Sequence, residues 1–293
     1  MKFKVTAAIA IACLSLMTLG PGVQAGQFGG SHTAVAKKKL LWAEEFNSAA
    51  GTPPNPRFWN YDLGGGGWGN KELQWYTDNN VSTNGSGALV ISAEKMPELS
   101  DDDLPYECFG TCQYFSSRIL TKGKLRFKYG RIETRIQFPA GTGTWPAFWL
   151  LGSNIDAKTW PFSGEIDVIE LRGREPNLAI GTVHGPGYSG AEGKTGVKRT
   201  SVSLADGFHV YAIDWAPNKI TWYLDGKVFH TVTSKSVPKG KYVFNQDFFL
   251  IMNLAMGGDF DGGQMDGSIE KAEYKIDYIR YYSLNGVGTL TRK

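Results

Sequence analysis

Apolar and polar residues alternate one for one along much of this chain. Over residues 130–138, Ile132, Thr134, Ile136 and Phe138 fall on one face, while Arg131, Glu133, Arg135 and Gln137 fall on the other. That two-residue period is the mark of a strand with one wet face. The same pattern predicts strands at residues 89–93, 208–215, 220–224, 248–254 and 274–282. Asp225-Gly226, between Thr221-Trp222-Tyr223-Leu224 and Lys227-Val228-Phe229, supplies the turn of a tight hairpin. No stretch carries a long three-to-four apolar period with caps, and no segment repeats. Many strands joined by glycine-rich turns predict an all-β fold, a sandwich or a barrel. No Pro/Ser/Thr-rich linker divides residues 40–285, and one all-β domain of that length is ordinary. A single large β-sandwich is therefore expected over 40–285.

The N-terminus reads differently. Met1-Lys2-Phe3-Lys4 is positive, an apolar run follows from Val5 to Leu19, and Val23-Gln24-Ala25 is a small-residue cleavage site. This predicts a secretory signal peptide over residues 1–25 and a secreted, extracellular mature chain. The apolar run is short for a bilayer and is broken by Thr6, Cys13, Ser15 and Thr18, so no membrane partner is expected. Acylation of Cys13 is disfavoured, because Ala10 stands where a lipobox usually has Leu. A Gly/Ser/Ala-rich flexible leader over 26–39 carries Lys37-Lys38-Lys39, and 286–293 reads as a C-terminal tail.

Charge and cysteines narrow the class. Loss of Lys2 and Lys4 with the leader peptide lowers the formal charge by two, from +3 to +1. A nucleic-acid partner would require a basic stripe, which is missing. Cys108 and Cys112 remain after export, and in an oxidising compartment a small-loop disulfide is the favoured reading. No nearby His or Cys pair completes a zinc site. So short a loop restrains the unfolded chain little, so its role would be local. The 37 glycines, 9 tryptophans and 13% aromatic content suggest tight turns and a surface that stacks on flat partners such as sugar rings.

The chemistry concentrates in Gly164-Glu165-Ile166-Asp167-Val168-Ile169-Glu170. Hydrolysis of a glycosidic bond passes through an oxocarbenium-like state and uses two carboxyls, one to protonate the leaving oxygen and one to attack or to activate water. The β-branched spacers make the segment a strand, and a regular strand puts Glu165 and Asp167 on one face but Glu170 on the other. A catalytic Glu170 therefore requires a β-bulge around Val168-Ile169, the device that re-aims side chains beside active sites. Acids crowded on one face would also split their pKa values. The bland alternative is a solvent-facing edge strand.

The segment resembles the signature of glycoside hydrolase family 16 in its longer form, Glu-x-Asp-x-x-Glu. Gly67-Trp68-Gly69-Asn70-Lys71-Glu72-Leu73-Gln74-Trp75-Tyr76-Thr77, Trp145-Pro146-Ala147-Phe148-Trp149-Leu150-Leu151-Gly152, Trp160-Pro161 and Asn253-Leu254-Ala255-Met256-Gly257-Gly258 are similar to blocks of its bacterial endo-β-1,3-glucanases, the laminarinases. These run in order from about Leu41 to Tyr282. The resemblance implies a jelly-roll β-sandwich of two curved antiparallel sheets with sugar across the concave face. It also implies retaining hydrolysis of β-1,3-glucan, with Glu165 as nucleophile, Glu170 as acid/base and Asp167 hydrogen-bonded to Glu165.

Trp145 and Trp160 would stack on glucose beside the cleaved bond, while Trp149, inside an apolar run, is expected in the core. Trp68, Asn70, Glu72, Arg118 and His184 are further substrate contacts by analogy. Ser116 and Ser117 replace the family's usual Thr and Ala before Arg118. No cofactor is implied for catalysis. A structural calcium is, held by main-chain oxygens of Glu45 and Gly87 and by Asp277, a set of oxygen ligands that suits that ion. A monomer is expected. The competing readings are an agarase or carrageenase, a mixed-linkage glucanase, a transglycosylase, and a glucan-binding lectin; intact Glu165 and Glu170 weigh against the last.

Overall fold

The computed structural model describes residues 36–97 and 107–293. The expected signal peptide and most of the expected leader lie outside the described residues. Among those described there is no α-helix, only strands and single 3-10 turns.

Two large sheets face each other across one core. The ten-stranded sheet runs in the order Lys227–Thr233, Lys219–Leu224, His209–Ala216, Gly130–Gln137, Lys271–Leu284, Leu89–Lys95, Tyr114–Ser116, Gln74–Tyr76. Lys38–Glu44 and Val81–Thr83 add to Lys271–Leu284 and Leu89–Lys95. The nine-stranded sheet runs Gly196–Arg199, Leu178–His184, Glu165–Glu170, Thr144–Gly152, Phe248–Met256, Leu125–Lys128, Thr289–Arg292, with Arg118–Leu120 beside Phe248–Met256 and Asn60–Tyr61 beside Arg118–Leu120. Pairing is antiparallel except between Gln74–Tyr76 and Tyr114–Ser116, which run parallel. This is the jelly-roll sandwich.

Alternation decides what each strand buries. Ile132, Thr134, Ile136 and Phe138 are all buried, as their period predicts. The hairpin forms as read: Leu224 pairs with Lys227, and Asp225 and Gly226 take φ of 48° and 76°, the pair of left-handed residues that a type I′ turn demands. In Thr144–Gly152, Phe148 and Leu150 enter the core, while Trp145, Trp149 and Leu151 on the alternate parity face the other way.

Two boundaries move. Strand pairing begins at Lys38, opposite Leu284, so the last residues of the expected leader belong to the sheet. Residues 289–292 are no loose tail: Thr289–Arg292 pairs with Leu125–Lys128, because Leu290 packs on the core next to Phe127.

Candidate active site

The strand Glu165–Glu170 carries the bulge that its sequence required. Opposite it on one side, Phe148 pairs with Ile169 but Trp149 pairs with Asp167, so Val168 has no partner of its own. On the other side Asp167 pairs with Thr182 and Glu170 with Ile180, three residues set against two. Ile166, Val168 and Ile169 are all in the core, and Glu165, Asp167 and Glu170 open on one cleft. Apolar burial of Val168 together with Ile169 drives this: a regular strand would push one of them into water and Glu170 into the core.

A bulge disrupts the ladder, and the opposite sheet repairs it. The indole N–H of fully buried Trp222 donates to the Asp167 carbonyl at 2.8 Å. Gly181, between the two partners of the bulged segment, makes room. A Cβ there would lie 2.6 Å from the Trp222 ring.

Burial sets the electrostatics. The Glu165 and Asp167 carboxyls are pushed well above the ordinary carboxylate range, first by desolvation and then by a neighbouring acid, Asp167 for Glu165 and Glu170 for Asp167. Glu170 is raised less, because the Trp145 N–H and the positive fields of His184 and Arg172 oppose its desolvation. Three acids so placed cannot all ionise at once. Asp167 is the most enclosed, with a side chain 4% exposed, and it hydrogen-bonds Glu165. His184 Nε2 lies 3.2 Å from Asp167 and 3.7 Å from Glu165, at the rim of the same cluster.

The cleft, of about 390 Å³, is lined by Trp68, Asn70, Glu72, Arg118, Trp145, Trp149, Trp160 and Asn253 around the three acids. Most of the expected contacts are therefore brought together. Trp160 is 43% exposed, hydrogen-bonds Glu165 and lies 6.0 Å from the His184 ring. Arg118 is sandwiched by Trp68 at 4.7 Å and Trp149 at 5.0 Å, and its charge is met by Asp62 at 3.0 Å.

Three expectations change. Trp149 is not core: it shares the parity of Trp145, and its N–H donates to Asn253 Oδ1 at 2.8 Å. Glu72 is 3% exposed, and its two oxygens accept from Asn70 at 2.9 Å and Gln74 at 2.6 Å. Burial raises its pKa, and it orients Asn70 with little left to offer a ligand. Trp145 has one face stacked on Phe260, so that face is closed to sugar. Asp62 and Phe260 escaped the sequence reading, and Asn253 entered it only within a family-like block, with no role of its own. For Asn253 and Trp149 the signal was strand parity; for Asp62 and Phe260, on loops, there was none.

Away from the cleft, Cys108 and Cys112 form the disulfide. It closes a tiny hairpin against the Gly67–Glu72 loop, where Phe109 N donates to the Glu72 carbonyl at 3.3 Å. The positions expected to hold a cation lie at or beside strands that border one another. Leu89–Lys95 flanks Lys271–Leu284 up to Ile276, Lys38–Glu44 takes over the same edge from Ile279, and Asp277 lies at the hand-over. Glu45 and Gly87 follow and precede those two flanking strands in sequence. Arg135 engages only Oδ2 of Asp277, and Arg280 grips the Glu45 carboxylate, not its main chain. The donor set is all oxygen and fits a hard cation.

The family model for glycosyl hydrolases family 16 matches residues 69–280. A β-glucanase of Rhodothermus marinus is 38% identical over 256 residues, covering 83% of this chain and 85% of that protein. The laminarinase catalytic domain of Thermotoga maritima superposes with a TM-score of 0.76 at 36% identity, covering 84% of this chain and 98% of that one. The endo-β-1,3-glucanase of Pyrococcus furiosus gives 0.76 at 40% identity, over 84% and 95% of the two chains.

Proposed function

The chain belongs to glycosyl hydrolases family 16, and from that premise we propose that it is a retaining endo-hydrolase of β-1,3-glucan. The observation that carries this reading is the bulged strand, which turns Glu165, Asp167 and Glu170 into one sugar-sized cleft walled by tryptophans. A lectin has no use for three desolvated acids; a hydrolase does. The cleft is open and lies along a sheet face, which suits cleavage within a polymer.

Glu165 attacks the anomeric carbon while Glu170 gives its proton to the departing glycosidic oxygen. The C–O bond to the leaving chain breaks as the bond to Glu165 forms. Glu170, now a carboxylate, takes a proton from water, whose oxygen displaces Glu165 and restores the starting configuration. Asp167 keeps its proton on the Glu165 side and so favours the ionised nucleophile. Trp149, Trp160 and the Arg118 sandwich grip the sugar rings flanking the bond, with Asn70 and His184 at hydroxyls.

Release of reducing ends from laminarin, mixed-linkage glucan, agarose and carrageenan, measured side by side, tests the substrate class. Laminarin is expected to be cleaved fastest; activity confined to a galactan would sink the reading. The reading extends to export after removal of residues 1–25. It also extends to a calcium ion at Glu45, Gly87 and Asp277, which would tie the two flanking strands together without entering the chemistry. A chelator should then lower Tm and added calcium restore it; an unchanged Tm contradicts the ion.

A further inference from the structure

Trp145 stands next to the acid/base, yet it is built less like a sugar platform than like a clamp. Its N–H donates to Glu170 Oε1 at 3.0 Å. Its ring stacks on Phe260 with centroids 4.8 Å apart and planes at 23°. The guanidinium of Arg172, two residues beyond Glu170, lies over the Phe260 ring, 4.5 Å from its centroid. Aromatic stacking and a cation over a ring face both favour this layered order.

The loop that presents Phe260 is fixed on both flanks. Asp261 is fully buried, pairs with Arg174 at 2.7 Å and accepts from Gly143 N at 2.7 Å. Asp259 pairs with Lys71 at 2.9 Å, and its N–H donates to the Asn70 carbonyl at 2.8 Å. Gly258, at φ 83°, brings the loop close to Trp145: a Cβ there would sit 3.3 Å from the ring. None of these contacts touches the position of a reacting atom, but all of them hold the ring that touches Glu170.

We propose that Phe260 and Arg172 are positioning residues for the acid/base: stacked in series on Trp145, they keep its indole N–H on Glu170 through the catalytic cycle. The inference rests on the reading of Glu170 as acid/base. Glu170 must hold a proton in one step and lack it in the next, so the strength of that donor sets its balance. An indole without Phe260 behind it is free to swing into the open cleft. The other charged groups facing Glu170 are Glu165 and Asp167 on its own strand, His184 on the next, and Arg172. Those on the opposing loops are already neutralised or tied up, Asp259 by Lys71, Asp261 by Arg174, and Glu72 by Asn70 and Gln74.

The test is the pH profile of laminarin hydrolysis in Phe260→Ala, Phe260→Tyr, Trp145→Phe and the double variant Phe260→Ala/Trp145→Phe. Loss of a donor to the carboxylate favours its protonated form. The alkaline limb of Phe260→Ala should therefore move to higher pH, and that of Trp145→Phe should move the same way. In Phe260→Ala, kcat should fall roughly ten- to a hundredfold with KM within about twofold. Phe260→Tyr, which keeps the stack, should restore both. The double variant should lose little more than the worse single one, because both act through one hydrogen bond. A raised KM with kcat and the alkaline limb unchanged would make Phe260 a sugar contact and overturn the proposal, as would fully additive losses. Glu170→Ala separates the two levels: if it keeps wild-type kcat on laminarin, the acid/base assignment itself is wrong, whatever Phe260 does.

Discussion

The two sheets carry the same kinds of side chain on their outward faces and use them in opposite ways. On the ten-stranded sheet, acids and bases interlock. Arg131 joins Glu133 and Asp214 at 2.9 and 2.8 Å, Arg280 holds Glu45 at 2.8 Å through two nitrogens, and Lys271 and Lys275 flank Glu273. Hydrogen bonds from Arg280 and Lys275 hold the Glu45 and Glu273 carboxyls below the ordinary range. On the nine-stranded sheet Glu165, Asp167 and Glu170 stand together with a histidine at the edge, and burial raises all three. Paired acids support the fold. Unpaired acids weaken it and are left with protons to exchange, which is what glycoside hydrolysis requires.

Replacing one unpaired acid breaks the contrast most severely. Glu165→Gln should lose laminarin hydrolysis to background. A carboxyl whose folded pKa is raised makes the native state bind more protons than the unfolded one, so stability falls as pH rises above the unfolded value near 4.3. The variant should therefore melt above the wild type at pH 7, by the ~2–4 °C that about 1 kcal/mol gives in a domain of this size. That gain should vanish below about pH 4, where both states are protonated. An unchanged melting difference across that range would mean that Glu165 is not penalised by its burial.

Deleting Val168 attacks the geometry. It leaves Glu165-Ile166-Asp167-Ile169-Glu170, whose strict alternation keeps all three acids on one face of a straight strand. Hydrolysis should therefore survive, while loss of the buried Val168 side chain should cost about 1–3 kcal/mol in urea denaturation. A folded deletion variant without any hydrolysis would show that a shared face for the three acids is not enough. Trp222→Phe acts on the same strand. It leaves the Asp167 carbonyl unsatisfied in the core, which should cost about 1–3 kcal/mol and reduce kcat more than it changes KM. Smallest of all, Glu45→Gln removes an exposed pair and should cost roughly 0.2–1 kcal/mol. Its sign is opposite to that of Glu165. A lowered folded pKa stabilises above the unfolded value, and that contribution fades as pH falls through the folded pKa. The variant's deficit should therefore be present at pH 7 and absent in strong acid.

The sequence was most legible where a local rule decides. Parity at Glu165, Asp167 and Glu170 demanded a bulge, because no other backbone puts Val168 and Ile169 inside and Glu170 outside. Asp225-Gly226 demanded a type I′ hairpin. The misreading of Trp149 came from weighing its apolar neighbours above its parity with Trp145. What stayed hidden depends on distant partners. Trp222 reaching the Asp167 carbonyl is a contact between sheets, with a sequence separation of 55 residues. Phe260 on Trp145 joins a loop to a strand that no period connects. Thr289–Arg292 looked like a tail because its partner, Leu125–Lys128, lies far back in the chain.

The central claim is that the bulge gives Glu165 and Glu170 different jobs on one face. A laminaribiosyl donor with fluorine at C2 and a good leaving group slows the release of the covalent intermediate, and peptide mass spectrometry then locates the sugar. The account predicts a glycosyl ester on Glu165, with the peptide otherwise unmodified. A label on Glu170 or Asp167, or none under conditions where the donor is turned over, would contradict it.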